Sequence, residues 1–419
     1  MTQTAFEAAL AAFTANGGDV SQLQNASTIG QDRLVRKETS LGVIREIPPP
    51  ADHIGDSLAP WLPVETDDVI FDYLTVQTDG LAPARAEDAE SELAQKDQTM
   101  AGQGRASVID WSLKDHYDAS DVKNARDLNA VAEQLRGGTL PLLVQSQLTD
   151  WRTQVANDRK LRRRKLDNRR ELLIMQALST GQIVYNDGKI KFSVDYGRPA
   201  AQSAGNAAFD LAKAGITDGV WNISSATGDF DPIRFFTELS NWFFDTYGVR
   251  LGSAIGSKKI FNSFWLSDKF SQRAGLGAAY SGTGVAEAPD LLYATAGWSP
   301  NAARAVVEAS TGVTLREYDA VYRTRPVGSN TVTANRFLPA TRLILLPNMD
   351  DLSEVAQTRI GFGKTLTSPH PEGNWQAGFY EWERSTVDPW GQDVGNGIKM
   401  FPVFPHLEYT ATVDVTLPA

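Results

Sequence analysis

The sequence predicts an α+β protein, and three stretches carry that reading. Residues 139–180 form one helical pattern with no Gly or Pro between Pro141 and Gly181. A tight hairpin pattern follows at once, Ile183-Val184-Tyr185, Asn186-Asp187-Gly188, Lys189-Ile190-Lys191-Phe192. The end of the chain then alternates strictly, with Leu407, Tyr409, Ala411, Val413, Val415 and Leu417 on one face and Glu408, Thr410, Thr412, Asp414 and Thr416 on the other. That alternation predicts a half-buried strand. A long helix and separate strand regions in one chain are the mark of segregated α and β layers.

Bulk composition sets the frame. At 419 residues, with 42 % apolar and 22 % charged residues, the chain is long enough for two or three cores. A net charge of −11 argues against a dedicated nucleic-acid binder. Cysteine is absent, so disulfides, thiolate metal sites and cysteine nucleophiles are excluded. Met1–Leu10 has neither the basic start nor the apolar run of a signal peptide, and no window reaches the ~20 apolar residues of a membrane span. These features predict a soluble protein made inside the cell.

Taken in order, residues 4–15 predict a short helix with Phe6, Leu10 and Phe13 on one face, ended by Gly17-Gly18. The chain is then polar and irregular as far as Ile47-Pro48-Pro49-Pro50, an extended arm or a disordered tail. Residues 61–113 form an excursion. The text from Val69 to Val76 reads as a strand, a Gly-rich break comes at Gly102 and Gly104, and Ser107–Trp111 resumes as strand. Between Glu65 and Asp97 lie ten acids and two bases, Arg85 and Lys96. A projecting hairpin with an acidic tip has little core of its own, and loops of that length are functional or interface elements.

A helix over Asp121–Leu135 stops at Gly137-Gly138. The long helix starts with Thr139 as N-cap and Pro141 near its first position. At 1.5 Å per residue it makes a rod of about 60 Å, an architectural length. Its stretch Arg159–Arg170 holds eight bases and one acid. Such a run usually marks a solvated face; in this acidic chain it also matches the acidic loop.

Residues 205–365 alternate helices and strands. Asp231-Pro232 caps a helix whose Phe235, Phe236, Leu239, Trp242 and Phe243 form a core stripe, and Gly248 ends it. A second helix spans about Lys258–Phe270, and a third runs from Ser299-Pro300 to near Gly312. Strand-like runs cover Val313–Arg323 and Thr341–Leu346. From Phe379 the chain is again β. Its final strand is expected to pair with the hairpin at 183–192, which makes the 205–365 region an insertion.

Catalytic motifs are unconvincing. Gly363-Lys364-Thr365 has Thr358 where a phosphate loop needs glycine, and no helix pattern follows it. His53, His116, His370 and His406 lack metal-ligand spacing and read as lone surface histidines. No carboxylate pair is set in an apolar pocket, no Gly-x-Ser-x-Gly elbow occurs, and Gly275–Gly284 reads as a surface loop. No catalytic residue, cofactor or metal is assigned.

The order of these pieces resembles the major capsid proteins of tailed bacteriophages, in particular the lambda-type major capsid protein E family. Arg169-Arg170-Glu171 through Met175–Gly181 is similar to the end of that family's long helix. Phe337-Leu338-Pro339 with Arg342–Leu346 resembles a late strand. The pattern from Arg359-Ile360-Gly361 through Asp388-Pro389, Pro402 and Pro405 resembles its C-terminal region. The resemblance covers about residues 40–419.

It implies the Hong Kong 97 capsid fold, with an N-terminal arm (1–60), an E-loop hairpin (61–113), and a P-domain of spine helix and hairpin (114–200). An inserted A-domain (201–365) and a return to the P-domain (366–419) complete it. It implies a non-enzymatic structural protein whose copies form hexamers and pentamers of an icosahedral shell around double-stranded DNA. That shell is a virion component assembled in the bacterial cytoplasm. Nothing before Trp61 matches the long cleaved scaffolding domain of some relatives, so a separate scaffolding protein is implied, beside a portal and a decoration protein. Lys96, the loop's only lysine, lacks a matched acceptor for the covalent crosslink of other relatives.

The opposed charge runs suggest that Asp79, Glu87, Asp88, Glu90 and Glu92 of one copy rest over Arg159, Arg162, Arg163 and Arg164 of the next. Alternatively the bases face packaged DNA. Three other classes remain open at this level. An encapsulin-like shell would enclose a cargo protein, a portal or tail component would form rings or tubes, and a soluble enzyme would stay monomeric and bind a small ligand.

Overall fold

The computed structural model describes residues 44–75, 100–121, 142–187, 190–203, 231–262, 264, 300–325, 330–355, 361–387 and 390–415. The expected helices at 4–15 and 121–135, the acidic tip, Thr139 and the Gly275–Gly284 loop lie outside these residues, save for Asp121.

The spine helix spans Leu142–Thr180, 39 residues. Gly181 ends it at φ 79°, where a side chain is disfavoured, and its N–H donates to the Ala177 carbonyl at 2.8 Å. The hairpin follows as expected. Gln182–Asn186 pairs antiparallel with Lys191–Asp195, and the Asp187 carboxylate accepts from the Ile190 N–H at 2.7 Å to hold the turn. Tyr185 and Phe192 stack across the pair at 5.3 Å, and Trp111 meets Tyr185 edge-on at 5.0 Å.

The spine packs on a five-stranded sheet. Its centre is the long strand Trp390–Val403. Phe379–Val387 lies on one side. Lys364–Thr367 continues along that same side and carries Trp61–Pro63 as a parallel edge, while Ile109–Asp118 takes the other side, Met400 pairing with both Thr367 and Ile109. Leu173, Ile174, Ala177 and Leu178 of the spine meet Leu366, Ile398, Met400 and Phe401 in one buried core. Two aromatic side chains lie across glycines opposite them in the ladder, Trp382 over Gly395 and Tyr380 over Gly397. A Cβ at either glycine would collide with the ring, so those positions have room for nothing larger.

A second, four-stranded sheet runs in the order Ala411–Asp414, Arg342–Pro347, Leu251–Gly256, Thr314–Glu317. The helices Pro232–Tyr247 and Pro300–Thr311 pack on it through Phe235, Phe236, Leu239, Phe243, Ala303 and Val307. Asp231 caps the first of these as expected, its carboxylate accepting from the Ile233 and Arg234 N–H groups at 3.0 and 3.2 Å. Gly248 closes it at φ 72°.

Three expectations need correction. The final strand pairs with Arg342–Leu345, not with the 183–192 hairpin, so the end of the chain completes the second sheet. It is also not half-buried. Leu407–Tyr409 is a short 3₁₀ turn, and Thr410 and Thr412 are both fully buried, because Arg198 reaches Thr412 from the other side at 3.3 Å. The glycines at 102 and 104 do not break the excursion. They lie inside Met100–Ser107, opposite Tyr73 and Phe71 of Asp68–Thr75.

Lys364 and Thr365 sit in a strand, which removes any phosphate loop there. Among the described residues no helix is long and apolar enough to cross a membrane.

Candidate functional site

The basic run on the spine is the feature the structure explains most fully. Helical geometry divides it in two. Arg159, Arg162, Arg163, Leu166 and Arg170 recur at spacings of three and four and are buried. Asn157, Leu161, Arg164 and Lys165 face outward.

Each buried arginine is used within its own subunit. Arg159 Nε donates to Glu381 Oε1 at 3.0 Å. Arg162, 1 % exposed, donates to Asn396 Oδ1 at 2.9 Å and also bonds Asp115. Arg163 bonds Asp167 one turn along, donates to the carbonyls of Ile44 and Ile47 at 3.3 and 3.5 Å, and lies 3.2 Å from the Phe379 ring centre. Arg170 bonds Asp56, donates to Thr365 Oγ1 at 3.2 Å and the Ala59 carbonyl at 2.6 Å, and stacks 3.9 Å over Trp61. Burial pushes the Arg163 guanidinium down to about 10 and the Asp167 carboxyl up to about 6, against their mutual attraction.

Glu171 extends the network to the second sheet. Its carboxylate accepts the Ile54 and Gly55 N–H groups at 3.0 Å each and the Tyr318 hydroxyl at 2.8 Å. The spine therefore bonds to the stretch 44–59, the first sheet and the approach to the second.

This changes the expected contact set. Arg159, Arg162 and Arg163 cannot present their charge to a neighbouring copy, because their donors are turned into their own subunit. Arg164 does remain on the outer face, beside Lys165 and Leu161, the last 55 % exposed. Asp79, Glu87, Asp88, Glu90 and Glu92 lie outside the described residues. The signal that could have separated the arginines was the helical spacing itself, since 159, 162, 163, 166 and 170 trace one stripe that includes Leu166.

The histidines are not simple surface residues either. His406 is fully buried. His370 stacks on Tyr380 at 3.9 Å and its Nδ1 accepts from the Glu372 N–H. His116 joins Asp393 at 2.7 Å, and His53 meets Phe337 edge-on. Among the described residues no cluster of His, Asp and Glu could hold a metal ion.

Among the described residues, Asp68–Thr75 and Met100–Ser107 form a two-stranded sheet of their own, with eight paired positions. The described residues thus offer a spine fixed by internal ion pairs, an outward face with Arg164 and Lys165, and a self-paired hairpin. A model of the family described as phage major capsid protein E matches residues 41–219. Over those residues, which are less than half of the chain, the sequence is similar to that family.

The described residues form an α+β architecture. Among solved structures, a protein assigned as a prophage capsid protein of E. coli CFT073 is 14 % identical, with 95 % of this chain and 98 % of that one covered and a TM-score of 0.48. A phage-related protein of Bordetella bronchiseptica RB50 is 13 % identical, with 91 % and 99 % covered and a TM-score of 0.43. The SrpI encapsulin of Synechococcus elongatus PCC 7942 is 10 % identical, with 95 % of each chain covered and a TM-score of 0.32. A search of curated proteins gave no match.

Proposed function

We propose that this chain is a phage major capsid protein of the Hong Kong 97 fold, whose copies form hexamers and pentamers that close into an icosahedral shell around double-stranded DNA. The proposal divides the subunit as the sequence does, into arm (1–60), E-loop (61–113), P-domain (114–200 and 366–419) and A-domain (201–365), except that the closing strand Ala411–Asp414 joins the A-domain's sheet. One observation carries the reading: among the described residues the Asp68–Thr75 and Met100–Ser107 hairpin pairs only with itself. A lone two-stranded ladder is marginal in water. It gains stability by lying on a neighbour, and many such contacts close a shell that no single contact would hold.

The seat for that limb is the outer face of a neighbouring spine. There the acidic tip (Asp79, Glu87, Asp88, Glu90 and Glu92) meets Arg164 and Lys165, while Arg159, Arg162 and Arg163 hold the spine in place from beneath. A separate scaffolding protein, a portal and a decoration protein complete the assembly, and DNA is held by non-specific contact. The shell is assembled in the host cytoplasm, and the protein has no enzymatic role.

Electron microscopy of the expressed full chain, alone and with a scaffold, tests this. Closed shells of uniform size are expected. Rings or tubes would assign it to another structural role, and a monomer under every condition would overturn the reading.

A further inference from the structure

His370 caps the short turn Pro371–Gly373. Its Nδ1 accepts from the Glu372 N–H at 3.1 Å, a role that needs an unprotonated Nδ1. The ring lies flat on Tyr380, with centroids 3.9 Å apart and planes 9° from parallel, so it cannot turn away without losing that stack.

The same turn carries strain. Asn374 and Trp375 both sit at φ 56°, a region that bulky side chains avoid and that persists where surrounding bonds hold the backbone. The Asn374 N–H donates to the Pro371 carbonyl and the Trp375 N–H to the His370 carbonyl, each at 3.2 Å. Arg45 donates to the Gly373 carbonyl at 3.3 Å. The indole itself adds little packing, since Trp375 is 73 % exposed.

A proton on Nδ1 would turn that acceptor into a donor aimed at a donor, and the cap bond would be lost. The charges around the ring act in both directions. Asp110 Oδ2 stands 3.9 Å from Nε2 and favours the cation, as do Glu372 on the turn and Asp67. Lys399 opposes it. Asp110 is engaged by the Tyr380 hydroxyl, and Asp67 by Lys399 at 2.8 Å. Burial outweighs the acids and holds the ring's pKa below its ordinary 6.5. The closed turn therefore prefers the neutral ring. A ring released into water takes its proton at about 6.5, so acid favours the open turn.

We propose that His370 is a proton-operated latch: a proton taken from solvent at Nδ1 opens the turn over residues 371–375, relieves the backbone at Asn374 and Trp375, and changes how the indole is displayed. The latch lies within one subunit and stands apart from the shell reading.

Hydrogen exchange of the full-length chain tests it, with mass spectrometry of peptides covering residues 371–378. These report the N–H groups of Glu372, Asn374 and Trp375, each rate being divided by the intrinsic rate at that pH. Protection should fall about fivefold between about pH 7.5 and about pH 5.5, the worth of one neutral hydrogen bond, while peptides of the spine helix keep theirs. His370→Asn places an oxygen acceptor at the cap that does not titrate, and its protection should stay level. His370→Ser does the same with a smaller side chain, should the Asn variant fail to fold. Trp375→Gly, which suits a positive φ, should raise protection at every pH and move the opening to lower pH.

Protection that is level with pH in the parent would overturn the latch, and so would an equal fall in the parent and the non-titrating variants. A fall shared by the spine peptides would mean acid unfolding of the whole subunit and would also reject it.

Discussion

Glu171 and Tyr318 meet at 2.8 Å across 147 residues of sequence, and their hydrogen bond fastens the spine helix to the approach of the second sheet. The same carboxylate holds the N–H groups of Ile54 and Gly55. Burial and the adjacent Glu171 charge push the Tyr318 hydroxyl well above the usual tyrosine range, so it stays a donor. Tyr318→Phe removes one bond to a charged acceptor and should cost about 1.5–3 kcal/mol in urea denaturation. Gly55→Ala should cost more than a surface change, because a Cβ there would stand 2.5 Å from Glu171 Oε2. A Gly55→Ala protein as stable as the parent would show that the carboxylate is not confined.

The aromatic cover on the long strand gives a second expectation. Gly397 lies opposite Tyr380, and the tyrosine hydroxyl also bonds Asp110 on the neighbouring strand. Gly397→Ala must displace the ring, at about 1–3 kcal/mol. Combined with Tyr380→Ala, the glycine substitution should lose most of that penalty, since the ring it strikes is gone. A denaturant double-mutant cycle with purely additive costs would refute the steric account.

Two carboxyls should respond to pH in opposite directions. Burial raises Asp167 to about 6, above the unfolded value of about 3.9. The folded state then binds its proton more tightly, so this group's contribution to stability falls as pH rises from about 4 to about 6. Asp393 is held below the usual carboxylate range by hydrogen bonds from Lys114 and His116, so its contribution is present above the unfolded value and lost as pH falls through the lower folded one. Stability of the parent relative to Asp167→Asn should therefore be greater at pH 4 than at pH 7. Relative to Asp393→Asn it should be smaller at low pH. Parallel profiles for the two variants would contradict both assignments.

Local signals in the sequence were read correctly where the physics is local. The capped helix at Asp231–Gly248, the uninterrupted spine and the hairpin after Gly181 depend on residues within a few positions of one another. The arginine network does not. Asp115, Asp56, Glu381 and Asn396 stand 47 to 234 residues from the arginines they bind, so the run looked like a solvated face. The last strand shows the same limit. Period two marked one apolar face, but what covers Thr412 is Arg198, 214 residues earlier, and no alternation rule reports that. Nor does periodicity choose a partner, and Arg342–Leu345 won over the hairpin.

The two faces of the spine separate folding from assembly. Arg162 is buried among Asp115, Asn396 and Glu381, so Arg162→Met leaves their polar groups without their cation. Breaking such a pair should cost about 3–5 kcal/mol, seen as a lower midpoint in denaturant. Arg164 and Lys165 face outward, and Arg164→Glu with Lys165→Glu should change stability by about 0.5 kcal/mol or less. If the acidic loop of a neighbour rests there, the double reversal yields folded subunits that sediment without forming shells at low salt. Added salt should partly restore assembly by screening the new repulsion. If these bases served packaged DNA instead, empty shells would form normally and only filling would suffer. Normal empty shells from the double reversal would therefore remove the loop contact from the spine while leaving the proposed shell intact.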